Sequence, residues 1–136
     1  MISLAELNPK NFPVNEEQEK NSLILLVRIN QVRAKWGKPM IVTSGLRSLE
    51  DHIRIYKEIA EKSKKEFDES KVPMGSLHLK FAAVDISDPD GSLYDWCVSN
   101  KAFLAEVGLW MEIKDSQKRV HFQIYPPKSG DRFFKP

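Results

Sequence analysis

Cysteine is nearly absent: Cys97 is the single one in 136 residues, which excludes an internal disulfide framework and a thiolate zinc cluster. Set in "LYDWCVSN", among helix-compatible residues, it reads as a small buried hydrophobe rather than a nucleophile. Long apolar runs are missing too. The longest, "LILLV", is far too short to span a membrane. The start, "MISLAELNPKNF", lacks a basic stretch followed by an apolar one, so no signal peptide is visible. A cytoplasmic product is expected, one that something else must deliver if it acts beyond a membrane. Nor does one charge dominate. The formal net charge is +2, and no Lys/Arg run is interleaved with aromatics, so no nucleic-acid face is expected. The densest charged stretch, "EIAEKSKKEFDESK", mixes both signs and reads as a solvated helix end and loop.

What is present fits one soluble domain over residues 1–136, without repeats, low-complexity segments or an appended module. "NFPVNEEQEKNSLILLVRINQVRAKWGKP" reads as a helix: Asn15 and Gln18 form a capping box, and Leu25, Ile29, Val32 and Trp36 recur at helical spacing. Gly37 and Pro39 stop it. "MIVTSG" is a short strand. Ser48 caps a second helix, "LEDHIRIYKEIAEKS", with Ile55, Tyr56, Ile59 and Ala60 expected toward the core. A polar loop over 65–76 follows, of a length more often functional than idle. "AAVDIS" is a strand and "DPDG" a turn. A third helix starts at Ser92, with Leu93, Trp96, Phe103 and Leu104 on one side. "GLWMEI" and "RVHFQI" read as an antiparallel hairpin. The expected class is α+β: a small, mainly antiparallel sheet packed with about three helices.

Asp85 is the anomaly, a carboxylate inside the apolar strand "AAVDIS". If strands about 5 Å apart bring His78, Asp85 and His121 to one sheet face, two imidazoles and a carboxylate make a zinc site with a fourth position for water, which is the catalytic type. A metal would also explain a buried acid. The alternative is that Asp85 ends its strand at a turn and both histidines are satisfied within the fold.

"SLHLKFAAVDIS" resembles the S-x-H-x-x-G-x-A-x-D signature of the M15 family of zinc peptidases: D-Ala-D-Ala carboxypeptidases and dipeptidases, and phage endolysins that cut peptidoglycan stem peptides. Three further pieces match in order. "IVTSGLRS" resembles a strand and turn ending in S-G-Y-R-S, "GLW" a G-x-G-W-type strand, and "VHFQI" the last metal-binding strand. The similarity spans roughly residues 37–125. The resemblance implies zinc on His78, Asp85 and His121, and a nearby carboxylate as general base. It also implies Arg47 on the substrate carboxylate or developing oxyanion; read alone, Arg47 is simply an arginine just before a helix. Ser76, two before the first ligand, either donates to substrate or shapes its loop. His52 matches no ligand position and reads as an ordinary helix histidine.

Two positions depart from the pattern. The glycine expected three residues after His78 is Phe81, which alters backbone freedom and the pocket wall. The acid that many members carry three residues before the last histidine is Lys118, which cannot be a base at neutral pH unless strongly perturbed. Asp115 is preferred in its place, because the hedgehog signalling domain, with a similar zinc site, has a glutamate at that offset. Glu112 is the rival: a two-residue turn at Ser116–Gln117 would pair it with His121, on the same face. The expected function is therefore a zinc-dependent, phage-encoded peptidase acting on peptidoglycan stem peptides, from the host cytoplasm or a virion. The alternative is a zinc-bearing binding or virion-structural domain without catalysis.

Overall fold

The computed structural model describes residues 1–72, 74–114 and 118–135. In chain order its elements are helix α1 (Leu4–Leu7), helix α2 (Glu16–Trp36), strand β1 (Val42–Ser44), helix α3 (Leu49–Lys62), a 3-10 turn (Glu69–Lys71), strand β2 (Ala83–Ser87), helices α4 (Ser92–Ser99) and α5 (Lys101–Val107), and strands β3 (Trp110–Glu112), β4 (Arg119–Gln123) and β5 (Phe133–Phe134). The sheet runs β1-β2-β4-β3-β5, antiparallel except for the parallel pairing of β3 with β5. The class is α+β, with five helices where about three are read from the sequence.

Local chemistry explains most boundaries. At the start of α2, Asn15 and Gln18 exchange hydrogen bonds of 2.7 and 2.9 Å, and Gly37 ends the helix with φ +77°. Leu25, Ile29 and Val32 are fully buried. Trp36 is partly buried, edge-on to Trp96 at 5.6 Å. The third expected helix is two: Asn100 turns back to donate to the Trp96 carbonyl at 2.7 Å, separating α4 from α5. The Asp88 carboxylate accepts from the Leu93 and Tyr94 amides and so caps α4.

The expectation for α3 fails in part. Its buried residue is His52, and Ile59 is 51% exposed. The helix is anchored where the His52 ring meets Arg47 and the edge of Tyr56, so the apolar stripe further along is not what docks it. Among the described residues, no helix is long and apolar enough to cross a membrane.

Successive residues of β2 and β4 face opposite sides of the sheet. Val84, Ile86, Val120 and Phe122 enter the core against α2 and its neighbours. That leaves Ala83, Asp85 and Ser87, paired with Gln123, His121 and Arg119, on the other face.

Candidate functional site

That second face is where the chemistry-bearing residues meet. Asp85 and His121 are directly opposed across β2 and β4, and directly opposed residues share a face. Asp85 Oδ1 is 2.9 Å from His121 Nδ1. His78 arrives from a short helical turn just before β2, and its Nε2 is 3.4 Å from Asp85 Oδ2. All three side chains are buried, and one ligand atom from each lies within 4.8 Å of the others.

The turn that carries His78 is closed at both ends. Ser76 Oγ accepts from the His78 amide at 3.3 Å, so Ser76 shapes this turn. At the other end, the Phe81 amide bonds to the His78 carbonyl and the Ala82 amide to the Leu77 carbonyl. That is the double closure of a Schellman motif, whose penultimate residue must be left-handed. Phe81 is that residue, with φ +59°. The left-handed backbone that glycine adopts freely is thus kept by a phenylalanine. Its ring is 2% exposed and joins the core cluster rather than the cleft wall expected from sequence. Gln18 and Asn21 of α2 bond the Leu79 and Lys80 carbonyls, bracing the turn from behind.

Hydrogen bonding decides which ring nitrogens are bare. His78 Nδ1 lies 2.9 Å from the Gly45 carbonyl, which can only accept, so the proton is on Nδ1 and Nε2 carries the lone pair. Gly45 must be glycine, since a Cβ there would strike the Leu7 backbone carbonyl. For His121 the chain of inference starts at Tyr125, whose carbonyl accepts from Gln123 Nε2 at 2.8 Å. This orients the amide so that Gln123 Oε1 faces His121 Nε2 at 2.9 Å and takes its proton. In the neutral ring, His121 Nδ1 then carries the lone pair. Two acceptors, Nδ1 and a carboxylate oxygen, sit 2.9 Å apart only with positive charge between them, a proton or a metal ion.

The electrostatics agree. Burial works to raise the Asp85 carboxyl, but hydrogen bonds with His121 and His78 outweigh it and hold the group well below the usual carboxylate range. Burial works to lower His121; the Asp85 hydrogen bond and the Glu112 charge outweigh it and raise the ring. A tetrahedron of zinc bonds to nitrogen and oxygen places its ligand atoms about 3.3 Å apart. The donor set, with each outer nitrogen bonded to a protein carbonyl oxygen, fits such an ion.

Around this cluster opens a cleft of about 980 Å³ lined by Arg47, Ser76, His78, Glu112, His121 and Gln123, among others. Glu112 Oε1 is 3.8 Å from His121 Nε2. Trp110 and Met111 pair with Gln123 and Phe122, and one further step in that register sets Glu112 against His121. Asp115 lies outside the described residues. Lys118 is exposed.

Arg119, two residues before His121 and on its face, donates to Asp85 Oδ1 at 3.3 Å and lies 3.9 Å from Glu112 Oε2. Sequence reasoning missed it, although period-two alternation could have found it. Arg47 is held by His52 Nδ1 at 3.1 Å and Ser44 Oγ at 3.4 Å. Burial pulls its guanidinium below the ordinary arginine value, and the Asp85 charge partly offsets this. Its Nε is the one buried side-chain polar atom among the described residues with no hydrogen-bond partner. His52, read as an ordinary helix histidine, is fully buried behind Arg47.

No family model and no curated protein matches the chain. The crystal structure of Serratia marcescens L-Ala D-Glu endopeptidase ChiX is similar with a TM-score of 0.47 and 21% identity, covering 87% of this chain and 93% of that one. A likeness this distant says nothing of mechanism.

Proposed function

We propose that residues 1–136 form a single zinc-dependent peptidase domain that hydrolyses a peptide bond in bacterial peptidoglycan stem peptides, of the endolysin or D-Ala-D-Ala carboxypeptidase type and phage-encoded. One observation carries the reading. Two imidazoles, each with its outer nitrogen engaged by a protein acceptor, turn their other ring nitrogens toward one buried carboxylate beside an open cleft. The ordered motifs around those residues support the same reading.

His78 Nε2, Asp85 and His121 Nδ1 would hold the metal. Zinc there would supply polarisation of the scissile carbonyl and acidification of a water. Glu112, on the cleft wall beside His121, takes the proton of the attacking water and returns it to the leaving amine. Arg119, 3.9 Å from Glu112 Oε2, aims that carboxylate. Arg47, with its planar fork of donors, binds a carboxylate of the peptide. Ser76 shapes the His78 turn and borders the bound chain.

The test is elemental analysis of the purified chain, followed by incubation of the zinc-loaded protein with cell-wall fragments and D-Ala-D-Ala peptides. One zinc per chain with release of peptide fragments is expected, and His78→Ala should lose both. Zinc without turnover on any of these substrates would overturn the peptidase reading in favour of a non-catalytic zinc domain.

A further inference from the structure

Among the described residues, the side chains that hydrogen-bond Arg47 are His52 and Ser44. His52, in the first turn of α3, has no exposed surface, and its Nδ1 is 3.1 Å from Arg47 Nη1. A guanidinium has no lone pair to offer, so the imidazole accepts and carries its proton on Nε2. Ser44 Oγ is the second acceptor, on Nη2. Tyr56, one turn beyond His52, closes over the ring edge-on at 5.0 Å and lines the cleft with Arg47.

The kind of tether matters. A carboxylate at the position of His52 would also orient the guanidinium, but it would cancel the charge and compete with any anion arriving in the cleft. A neutral imidazole restricts the fork and leaves its attraction whole. Preorganised donors of this sort bind without reorganising as the ligand arrives.

We propose that His52 is a positioning residue for substrate recognition: through Nδ1 it fixes the Arg47 guanidinium and, by staying uncharged, preserves its hold on a carboxylate of the bound peptide. This rests on the peptidase reading above. Sequence reasoning gave His52 no part, because helical spacing alone does not reveal a polar side chain buried behind another.

The experiment compares His52→Asn, His52→Asp and His52→Leu in the zinc-loaded full chain, alone and with Arg47→Ala, on an acidic stem peptide. Asn offers a neutral acceptor near the place of Nδ1, and Asp has the same shape with a charge. The expected result is that His52→Leu raises KM about tenfold with kcat little changed, at unaltered zinc content. His52→Asn should recover most of that loss, and His52→Asp should not. In the Arg47→Ala background, His52→Leu should add nothing.

The proposal falls if Asp performs as well as Asn, if the two losses add, or if kcat drops while KM holds. Should the wild-type protein cleave no peptide, the peptidase reading fails on its own. The tether is then read from the ring nitrogen resonances of His52: the Nε2–H form, with an Nδ1 signal that moves in Arg47→Ala, supports it, and an Nδ1–H form sinks it.

Discussion

Asp85 and His121 face each other across β2 and β4 with 2.9 Å between carboxylate and ring nitrogen. The contact links the fold to its chemistry. The same pairing that sends Val84 and Phe122 into the core presents an acid and a base to the opposite face, and no loop has to be ordered to bring them together. His78 is then the only one of the three placed by a turn, which explains why that turn is closed at both ends.

Gln123 sets the state of His121, because its amide is oriented by the Tyr125 carbonyl and accepts from Nε2. Gln123→Leu should weaken zinc binding about 10- to 100-fold, the range typical when a ligating histidine loses the hydrogen-bond partner of its outer nitrogen. Gln123→Glu, which keeps an acceptor, should lose less. A competition titration with a chromophoric chelator measures both, and equal affinities for the Leu variant and wild type would refute the assignment.

Stability and zinc binding should respond to pH in opposite ways. His121 is raised above 6.5 in the zinc-free fold, so its contribution is fully present below 6.5 and is lost as pH rises through the folded value. Asp85 is lowered from 3.8, so its contribution is present above 3.8 and is lost as pH falls through the folded value. The zinc-free protein therefore draws most from this pair between pH 3.8 and 6.5. On the proposed reading zinc would have to displace the His121 proton, so its affinity should climb with pH to a point above 6.5 before levelling. Thermal midpoints with and without zinc should diverge as pH rises from 6 to 8. Parallel curves would contradict this.

Glu112 and Asp115 can be separated by single substitution. Glu112→Gln keeps size and removes the proposed base, and kcat should drop by a factor on the order of 10² to 10⁴ with zinc retained. Asp115→Ala should leave kcat within about threefold. The reverse outcome would transfer the role to Asp115.

Legibility in the sequence followed the range of the interactions. Asp85 is legible because an acid in an apolar strand needs a partner, whereas His78 and His121 are tied to it by the ordered motifs around them and not by a local pattern. Sequence alone leaves the pairing of Trp110 with Gln123 open, because strand alternation does not fix the register of a hairpin. His52 stayed hidden: an apolar stripe on α3 predicted its buried face, whereas a tertiary contact with Arg47 anchors the helix. Phe133 and Phe134 form a strand too short to carry a pattern, defined only by its pairing with β3. The break at Asn100 depends on one side chain reaching back to the Trp96 carbonyl, which helical periodicity does not register.

Phe81 tests whether the turn under His78 is strained. At an ordinary buried site, replacing Phe by Ala costs about 3–5 kcal/mol, and Gly is worse than Ala by about 0.5–1 kcal/mol. Here φ is +59°, a region that disfavours any Cβ by about 1–2 kcal/mol. Both variants lose the buried ring, but only glycine escapes the backbone strain. Phe81→Gly should therefore be more stable than Phe81→Ala by about 1 kcal/mol, inverting the usual order, while both fall below wild type. Urea denaturation with zinc bound reads the difference. If the Ala variant proves the more stable, residue 81 does not hold the left-handed conformation, and the closure of the turn on His78 must be made some other way.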